Sequence, residues 1–227
     1  MQVQLLSRAP WFIMKLNIDS NFFKNWSPDM AYILGLIATD GCLIQRKNAT
    51  PCVDITNNEI DLLNKIKQTM KSEHKICKKK RGARFQVRNR VIYFDLLKLG
   101  LTPRKSKSLK FPEIPFKYLA DFIRGCFDGD GGVTIWKEQR WKQTWQIRIT
   151  FCSGSRSFLE ELHRGLILHG ELKKGKIWNS GRAYELHFGI ADSLRFYRFM
   201  YSKETDLYLK RKKDTFEKFI KLRNAQN

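Results

Sequence analysis

An α+β fold built from two copies of one unit, each running helix, hairpin, helix, hairpin, helix, is what this sequence predicts. Three observations carry the prediction. Tyr32-Ile-Leu-Gly-Leu-Ile-Ala-Thr-Asp-Gly41 and Phe122-Ile-Arg-Gly-Cys-Phe-Asp-Gly-Asp-Gly-Gly132 are both apolar helical patterns with an internal glycine and an acid–glycine end. Each is followed by the same succession of alternating strands and periodic helices. A basic, proline-bearing stretch at 103–116 separates the two runs. Glycine inside a helix costs about 1 kcal/mol against alanine, so Gly35 and Gly125 need a compensating reason, and close helix-to-helix approach supplies one. Helices packed through those glycines bring Asp40 and Asp130 together at their C-terminal ends. There the carboxylates repel each other and face negative dipole ends, two penalties that a divalent cation removes.

The elements follow in order. Residues 1–26 hold scattered aromatics (Trp11, Phe12, Phe22, Phe23, Trp26) and read as an N-terminal arm. Ser27-Pro28-Asp29 is an N-cap, a first-turn proline and a first-turn acid, opening the first repeat at 27–102. Its helix ends at Asp40-Gly41. A hairpin follows, with Val53 and Ile55 on one face of the returning strand and Cys52, Asp54 and Thr56 on the other. Asn58 is the expected cap of a second helix with a stripe of Ile60, Leu63, Ile66 and Met70, read as ordinary core. A basic run from Lys75 to Arg84 leads into a strand in which Phe85 and Val87 alternate with Arg84, Gln86 and Arg88. The next helix stops at Gly100. After the linker the order restarts in a second repeat at 117–202. Strands are expected at 133–137 and 141–151. Ser155 or Ser157 then opens a helix that ends at Gly170, and a hairpin at 172–176 and 182–188 and a helix near 193–200 complete the repeat. A basic helix is expected within 203–227. The copies align at Val53-Asp-Ile-Thr56 and Ile147-Arg-Ile-Thr150, 16 and 20 residues beyond their acids (56 − 40 and 150 − 130).

Charge narrows the partners. The 227 residues carry 43 Lys+Arg against 22 Asp+Glu, a net +21, while 42% hydrophobic and 13% aromatic content gives a globular chain. Such an excess points to a polyanion. No apolar run approaches the roughly 18 residues of a spanning helix, so no membrane partner is expected. Five widely spaced cysteines and four histidines form no zinc or disulfide pattern, which suits a reducing compartment. The N-terminus lacks a secretory core, so an intracellular location is expected. The polar strand faces repeat Arg, Gln and Lys, residues that make bidentate contacts with guanine and adenine in the major groove. The candidate nucleic-acid contacts are Gln45 and Lys47 in the first hairpin, then Arg84, Gln86 and Arg88, then Lys142, Gln146 and Arg148, and finally Lys174, Lys176 and Arg182. For any single charged residue, a solvated surface position is the commoner use.

Ile33-Leu-Gly-Leu-Ile-Ala-Thr-Asp-Gly41 and Ile123-Arg-Gly-Cys-Phe-Asp-Gly-Asp-Gly131 resemble the LAGLIDADG motif. Their order and spacing are similar to single-chain, two-motif homing endonucleases, over about residues 28–220. Leu-Gly-Leu-Thr-Pro-Arg-Lys-Ser106 and Tyr208-Leu-Lys-Arg-Lys-Lys213 also look like segments of that family. The resemblance implies two pseudo-symmetric αββαββα repeats with antiparallel, saddle-shaped sheets in the major groove and the paired motif helices at the interface. It makes Asp40 and Asp130 the metal-binding acids, with Thr39 and Gly129 offering backbone carbonyls. Mg2+ is the implied cofactor, with Mn2+ or Ca2+ as substitutes. Asn57 matches a place where the family carries a water-ordering polar residue, and its counterpart is read as Phe151. Leu34 and Arg124 stand where the motif has alanine, Ala38 where it has its sixth-position acid, and Cys126 where it has leucine.

The function so implied is a monomeric, site-specific DNA endonuclease, encoded by a mobile intron, that cuts a long asymmetric target and leaves 3′ overhangs. Metal ions about 3.5–4 Å apart relieve phosphate charge and activate water in such hydrolysis. An RNA-binding maturase on the same fold, acting on intron RNA without enzymatic chemistry, is the alternative. A DNA-binding regulator on an inactive scaffold is a further rival. An intein is disfavoured, since the ends show no splicing blocks.

Overall fold

The computed structural model describes residues 16–139 and 144–226. Trp11, Phe12, the expected strand start at Trp141 and the candidate contact Lys142 lie outside them. The first repeat runs α1 (Pro28–Asp40), β1 (Gly41–Ile44), β2 (Cys52–Asn57), α2 (Ile60–Thr69), β3 (Ile76–Lys78), β4 (Ala83–Arg88) and α3 (Arg90–Lys98). The second runs α4 (Leu119–Asp130), β5 (Gly131–Lys137), β6 (Trp145–Ser153), α5 (Arg156–His169), β7 (Lys176–Asn179), β8 (Tyr184–Phe188) and α6 (Ile190–Met200), and α7 (Lys210–Asn224) follows. Each repeat holds one four-stranded antiparallel sheet, in the orders β1-β2-β4-β3 and β5-β6-β8-β7. The two are topologically identical, as the α+β duplication requires. Among the described residues no helix is long and apolar enough to cross a membrane.

Local chemistry fixes the helix ends. The Ser27 hydroxyl accepts from the Met30 amide at 3.1 Å, with Pro28 in the first turn. Asn89 caps α3 in the same way. Gly100, at φ +90°, closes α3 in a Schellman arrangement: its amide bonds Leu97 and that of Leu101 bonds Leu96. Ser155, not Ser157, caps α5, accepting from Phe158. Asn58 is not the cap of α2. Glu59 occupies that position without a side-chain bond, because Asn57 already turns the chain by accepting from the Glu59 amide at 2.9 Å.

One dry face of each sheet builds the core. Val53, Ile55, Phe85 and Val87 are buried in the first, and Ile147, Ile149, Phe151, Leu186 and Phe188 in the second. The period-two alternation read from the sequence holds in both. Several element boundaries in the second repeat differ from expectation, among them β5, which starts at Gly131, and β6, which runs to Ser153. The last hairpin begins at Lys176 rather than at Leu172, because both oxygens of the Asp192 carboxylate accept from the amides of Lys173 and Lys174 and hold that segment against the start of α6. Helix α6 itself starts at Ile190, three residues before Ser193.

The linker is largely exposed but anchored at a few points. Lys105 and Leu109 are buried, the Ser155 hydroxyl donates to the Leu109 carbonyl at 2.7 Å, and a side chain on Gly154 would meet the Ser106 carbonyl at 2.4 Å. Residues 17–26 lie along the first repeat, with Phe23 buried and Trp26 stacked on Tyr118.

Candidate active site and nucleic-acid interface

The site begins where α1 and α4 touch. A Cβ on Gly35 would stand 2.1 Å from the Phe122 carbonyl oxygen, and one on Gly125 2.0 Å from that of Tyr32. Backbone rests on backbone in both directions, which is the reason for glycine that the sequence demanded. One turn further, a Cβ on Gly129 would fall 2.0 Å from Thr39 Oγ1. That hydroxyl turns back to donate to the Gly35 and Leu36 carbonyls. The chain of close contacts leads to Asp40 and Asp130, the last residues of the two helices.

These acids share one electrostatic environment. Burial, and then the facing charge of Asp130, pushes Asp40 up to about 6, against a smaller favourable bond from Asn57. Burial also raises Asp130, although the residue as a whole is exposed on its outer side. Two lysines counter these effects. Lys105 donates to the Gly41 carbonyl, and Lys212 to the carbonyls of Phe127, Asp128 (3.0 Å) and Gly131 (2.6 Å). Each lysine thus binds the residue directly after one of the acids, and both ammonium groups favour the charged form of both carboxylates. Burial lowers Lys105, and lowers Lys212 to about 8. Sequence reasoning missed them because, within a basic linker and a basic tail helix, nothing local sets one lysine apart from its neighbours. The available signal was the shared dipeptide, Arg104-Lys105 and Arg211-Lys212, placed after each repeat.

A hard divalent cation suits this donor set. Two carboxylates face each other, and the C-terminal turns of α1 and α4, which include Thr39 and Gly129, leave carbonyls without intrahelical partners. Among the described residues no group of three or more His, Cys, Asp or Glu converges. The protein would therefore supply the two acids and helix-end carbonyls, leaving further positions to water or substrate oxygens.

Strand register corrects the alignment of the two copies. Gly41 pairs with Ile55 and Gly131 with Phe151, so Phe151 is the counterpart of Ile55, not of Asn57. The spacings are 14 and 20 residues (55 − 41 and 151 − 131), and the second hairpin is six longer. The true counterpart of Asn57 is Ser153. It makes the same turn, its hydroxyl accepting from the amide two residues on at 3.1 Å, as Asn57 does from Glu59. Both copies therefore carry a polar turn residue here, and the Asn57 side chain lies near enough to Asp40 to favour its charged form slightly.

Buried polar contacts hold α4 in place. Arg124 donates to the carbonyls of Leu207 and Met200, to Thr205 and to Asp121, which explains an arginine where the motif has alanine. Asp128 accepts from the Tyr32 hydroxyl and the Leu209 amide, both at 2.8 Å, tying α1, α4 and the approach to α7 together. Ala38, its counterpart, has no such link.

The polar sheet faces open on this site. Cys42 and Cys152 lie on them, and burial, then the neighbouring Asp130 charge, pushes the Cys152 thiol up. On the first face stand Arg84, Gln86 and Arg88, with Arg84 paired to Asp54. On the second stand Gln146, Arg148 and Lys176. Gln45 and Lys47 are exposed just beyond β1, and Arg182 in the turn before β8. Lys174 is exposed but lies before β7, off the strand face.

Comparison with known proteins agrees with this geometry. Residues 27–98 match the family model of the LAGLIDADG-like domain. The LAGLIDADG meganuclease I-AabMI, bound to uncleaved DNA, superposes with a TM-score of 0.63 at 14% identity, covering 88% of this chain and 91% of that one. Meganuclease I-SmaMI, bound to uncleaveable DNA, gives 0.61 at 12%, covering 88% and 92%. A variant of I-DmoI in complex with its target DNA in the presence of Mg gives 0.58 at 18%, covering 81% and 99%. At such identities the likeness is one of fold. A Methanocaldococcus jannaschii protein named "Probable translation initiation factor IF-2" is 28% identical over 166 residues, 68% of this chain. The match spans only 12% of that protein's length.

Proposed function

We propose that this chain, whose first repeat matches the LAGLIDADG-like domain and whose two repeats share the meganuclease fold, is a site-specific DNA endonuclease. The observation that carries the reading is the apposition of Asp40 and Asp130 at the ends of two helices locked glycine to backbone, flanked by two basic sheet faces. Double-stranded DNA is the partner. The major groove admits a two-stranded ribbon, and Gln86, Arg88, Gln146 and Arg148 are residue types that read base edges there. The sheets then straddle the paired helix ends, which approach the duplex from the minor-groove side. Phosphates nearest each other across the minor groove are offset in the 3′ direction, so paired cuts leave 3′ overhangs. Divergence between the copies makes the target asymmetric, and one chain supplies both halves of the site, so the monomer is the active form.

Asp40 and Asp130 would hold Mg2+, with Mn2+ or Ca2+ as substitutes, and the bound cation supplies charge relief at the scissile phosphate and an acidified water. Lys105 and Lys212 fix the chain just after each acid and keep both carboxylates ionised. Asn57 orients Asp40. No histidine adjoins either acid in sequence, so proton removal falls to solvent ordered by these groups. The test is cleavage of a randomised duplex library with Mg2+ and with EDTA, using wild type and Asp130→Asn. Metal-dependent double-strand cuts at one long site, lost in the variant while binding persists, are the expected result. Binding without cutting in Mg2+ or Mn2+ would overturn the proposal.

A further inference from the structure

The polar faces of the two sheets match in backbone and differ in chemistry. One cross-strand row of the first sheet holds Thr56, Arg84 and Cys77, and its counterpart on the second holds Cys152, Glu185 and Trp178. In the next row Gln86 beside Asp54 corresponds to His187 beside Thr150 and Lys176. An acid thus replaces an arginine, and an indole replaces an edge cysteine. Trp178 is 49% exposed, so core packing does not account for it. The Lys176 ammonium sits 3.8 Å from its ring centroid, and the Arg148 guanidinium 5.2 Å from that of Trp136. His187 Nε2 lies 2.8 Å from Glu185 Oε2. Trp178, His187 and Arg148, with Phe188 and Gly189, line a shallow, mainly apolar cup. No aromatic stands among the strand residues on the polar face of the first sheet.

An indole offers one donor and no acceptor, so it cannot make the bidentate contacts that read purines. The one apolar feature of base edges in the major groove is the C5-methyl of thymine. Building on the DNA-reading faces proposed above, the geometry points to Trp178 and His187 as a methyl-reading cup. It takes one thymine in the half-site under the second sheet, while Arg148 donates to a guanine beside it. The two half-sites are therefore read by different chemistries, hydrogen bonds from Arg84 and Gln86 on one side and methyl burial on the other.

Duplexes enriched by wild-type protein from a randomised library, in EDTA, give the sequence on which to test this. Each thymine is then replaced by uracil, which removes only the methyl. Burying one methyl is worth about 0.8 kcal/mol, or about fourfold in Kd. One thymine under the second sheet should lose about fourfold as uracil with wild type and with Trp178→Phe, and nothing with Trp178→Ala. The cup is overturned if every uracil on that side is silent, or if the same loss persists in Trp178→Ala. It is equally overturned if Trp178→Ala weakens single-stranded RNA alone, which would make the indole a base-stacking platform. A selected and cleaved target with silent uracils sinks the cup only. Failure to enrich any sequence sinks the DNA-reading faces with it.

Discussion

Replacing Gly35 by alanine separates what the helix pair does for stability from what it does for chemistry. The added Cβ would lie 2.1 Å from the Phe122 carbonyl oxygen and 3.0 Å from the Cys126 nitrogen. Both atoms are backbone, so no side chain can swing aside, and the helices must separate by about 1 Å to restore ordinary contact distance. Overpacking of this kind costs about 1–3 kcal/mol. Alanine returns about 1 kcal/mol of helix propensity, leaving a modest net loss. For a chain of this size each kcal/mol moves Tm by about 2–4 °C, so a fall of a few degrees is expected. The same displacement parts Asp40 from Asp130, and misplacing reacting groups by 1 Å costs about a hundredfold in rate. Gly35→Ala should therefore melt a few degrees low and cleave its selected target about a hundredfold more slowly. Gly132→Ala, with nothing within 4 Å of the new carbon, should match wild type in Tm. A Gly35→Ala protein with unchanged Tm and unchanged cleavage would refute the backbone contact on which the site is built.

Further outcomes follow from the charges. Folded Asp40 and Asp128 both titrate at about 6, above the ordinary carboxylate value near 4, so the folded chain binds protons more tightly than the unfolded one between those limits. Their contribution to stability therefore falls as pH rises from about 4 to 6, and metal-free Asp40→Asn should show a shallower Tm decline over that window. An unchanged profile in the variant would contradict the shift, and Mg2+ at pH 7 should raise Tm in wild type but not in Asp40→Asn. Lys105→Met and Lys212→Met should each slow cleavage by at least tenfold while leaving duplex binding in EDTA within about threefold, measured by gel shift. Arg124→Ala leaves Asp121 buried without its partner and strips the donors from Met200 and Leu207. A loss of about 3–5 kcal/mol is expected, read as a Tm lower by about 10 °C.

Much of this molecule was legible where local chemistry and tertiary need agree. Ser27-Pro28, the Gly100 terminator and the alternation of Phe85 and Val87 with Arg84, Gln86 and Arg88 each have one reading, and the structure bears them out. Gly35 and Gly125 were legible because each violates helix propensity and only close packing explains the violation. The failures lie where pattern is ambiguous. Ile-Thr occurs in both returning strands, and matching it set the copies two residues out of register, hiding Ser153 behind Phe151. Asn57 and Asn58 are adjacent asparagines, and nothing local says which one turns the chain. Lys105 and Lys212 escaped because burial of a lysine depends on carbonyls 64 and 81 to 85 residues away in sequence.

That last separation bears on synthesis. The acids and their helix pair exist once residue 130 has emerged, but Lys212 joins the Phe127, Asp128 and Gly131 carbonyls only after a further 82 residues (212 − 130). At 5–20 residues per second this is a delay of about 4–16 s. Through that interval the nascent chain holds Asp40 and Asp130 beside Lys105 alone, with the end of α4 uncapped. On the proposed function, the chain completes the surroundings of Asp40 and Asp130 among its last acts of folding, after both sheets have been made.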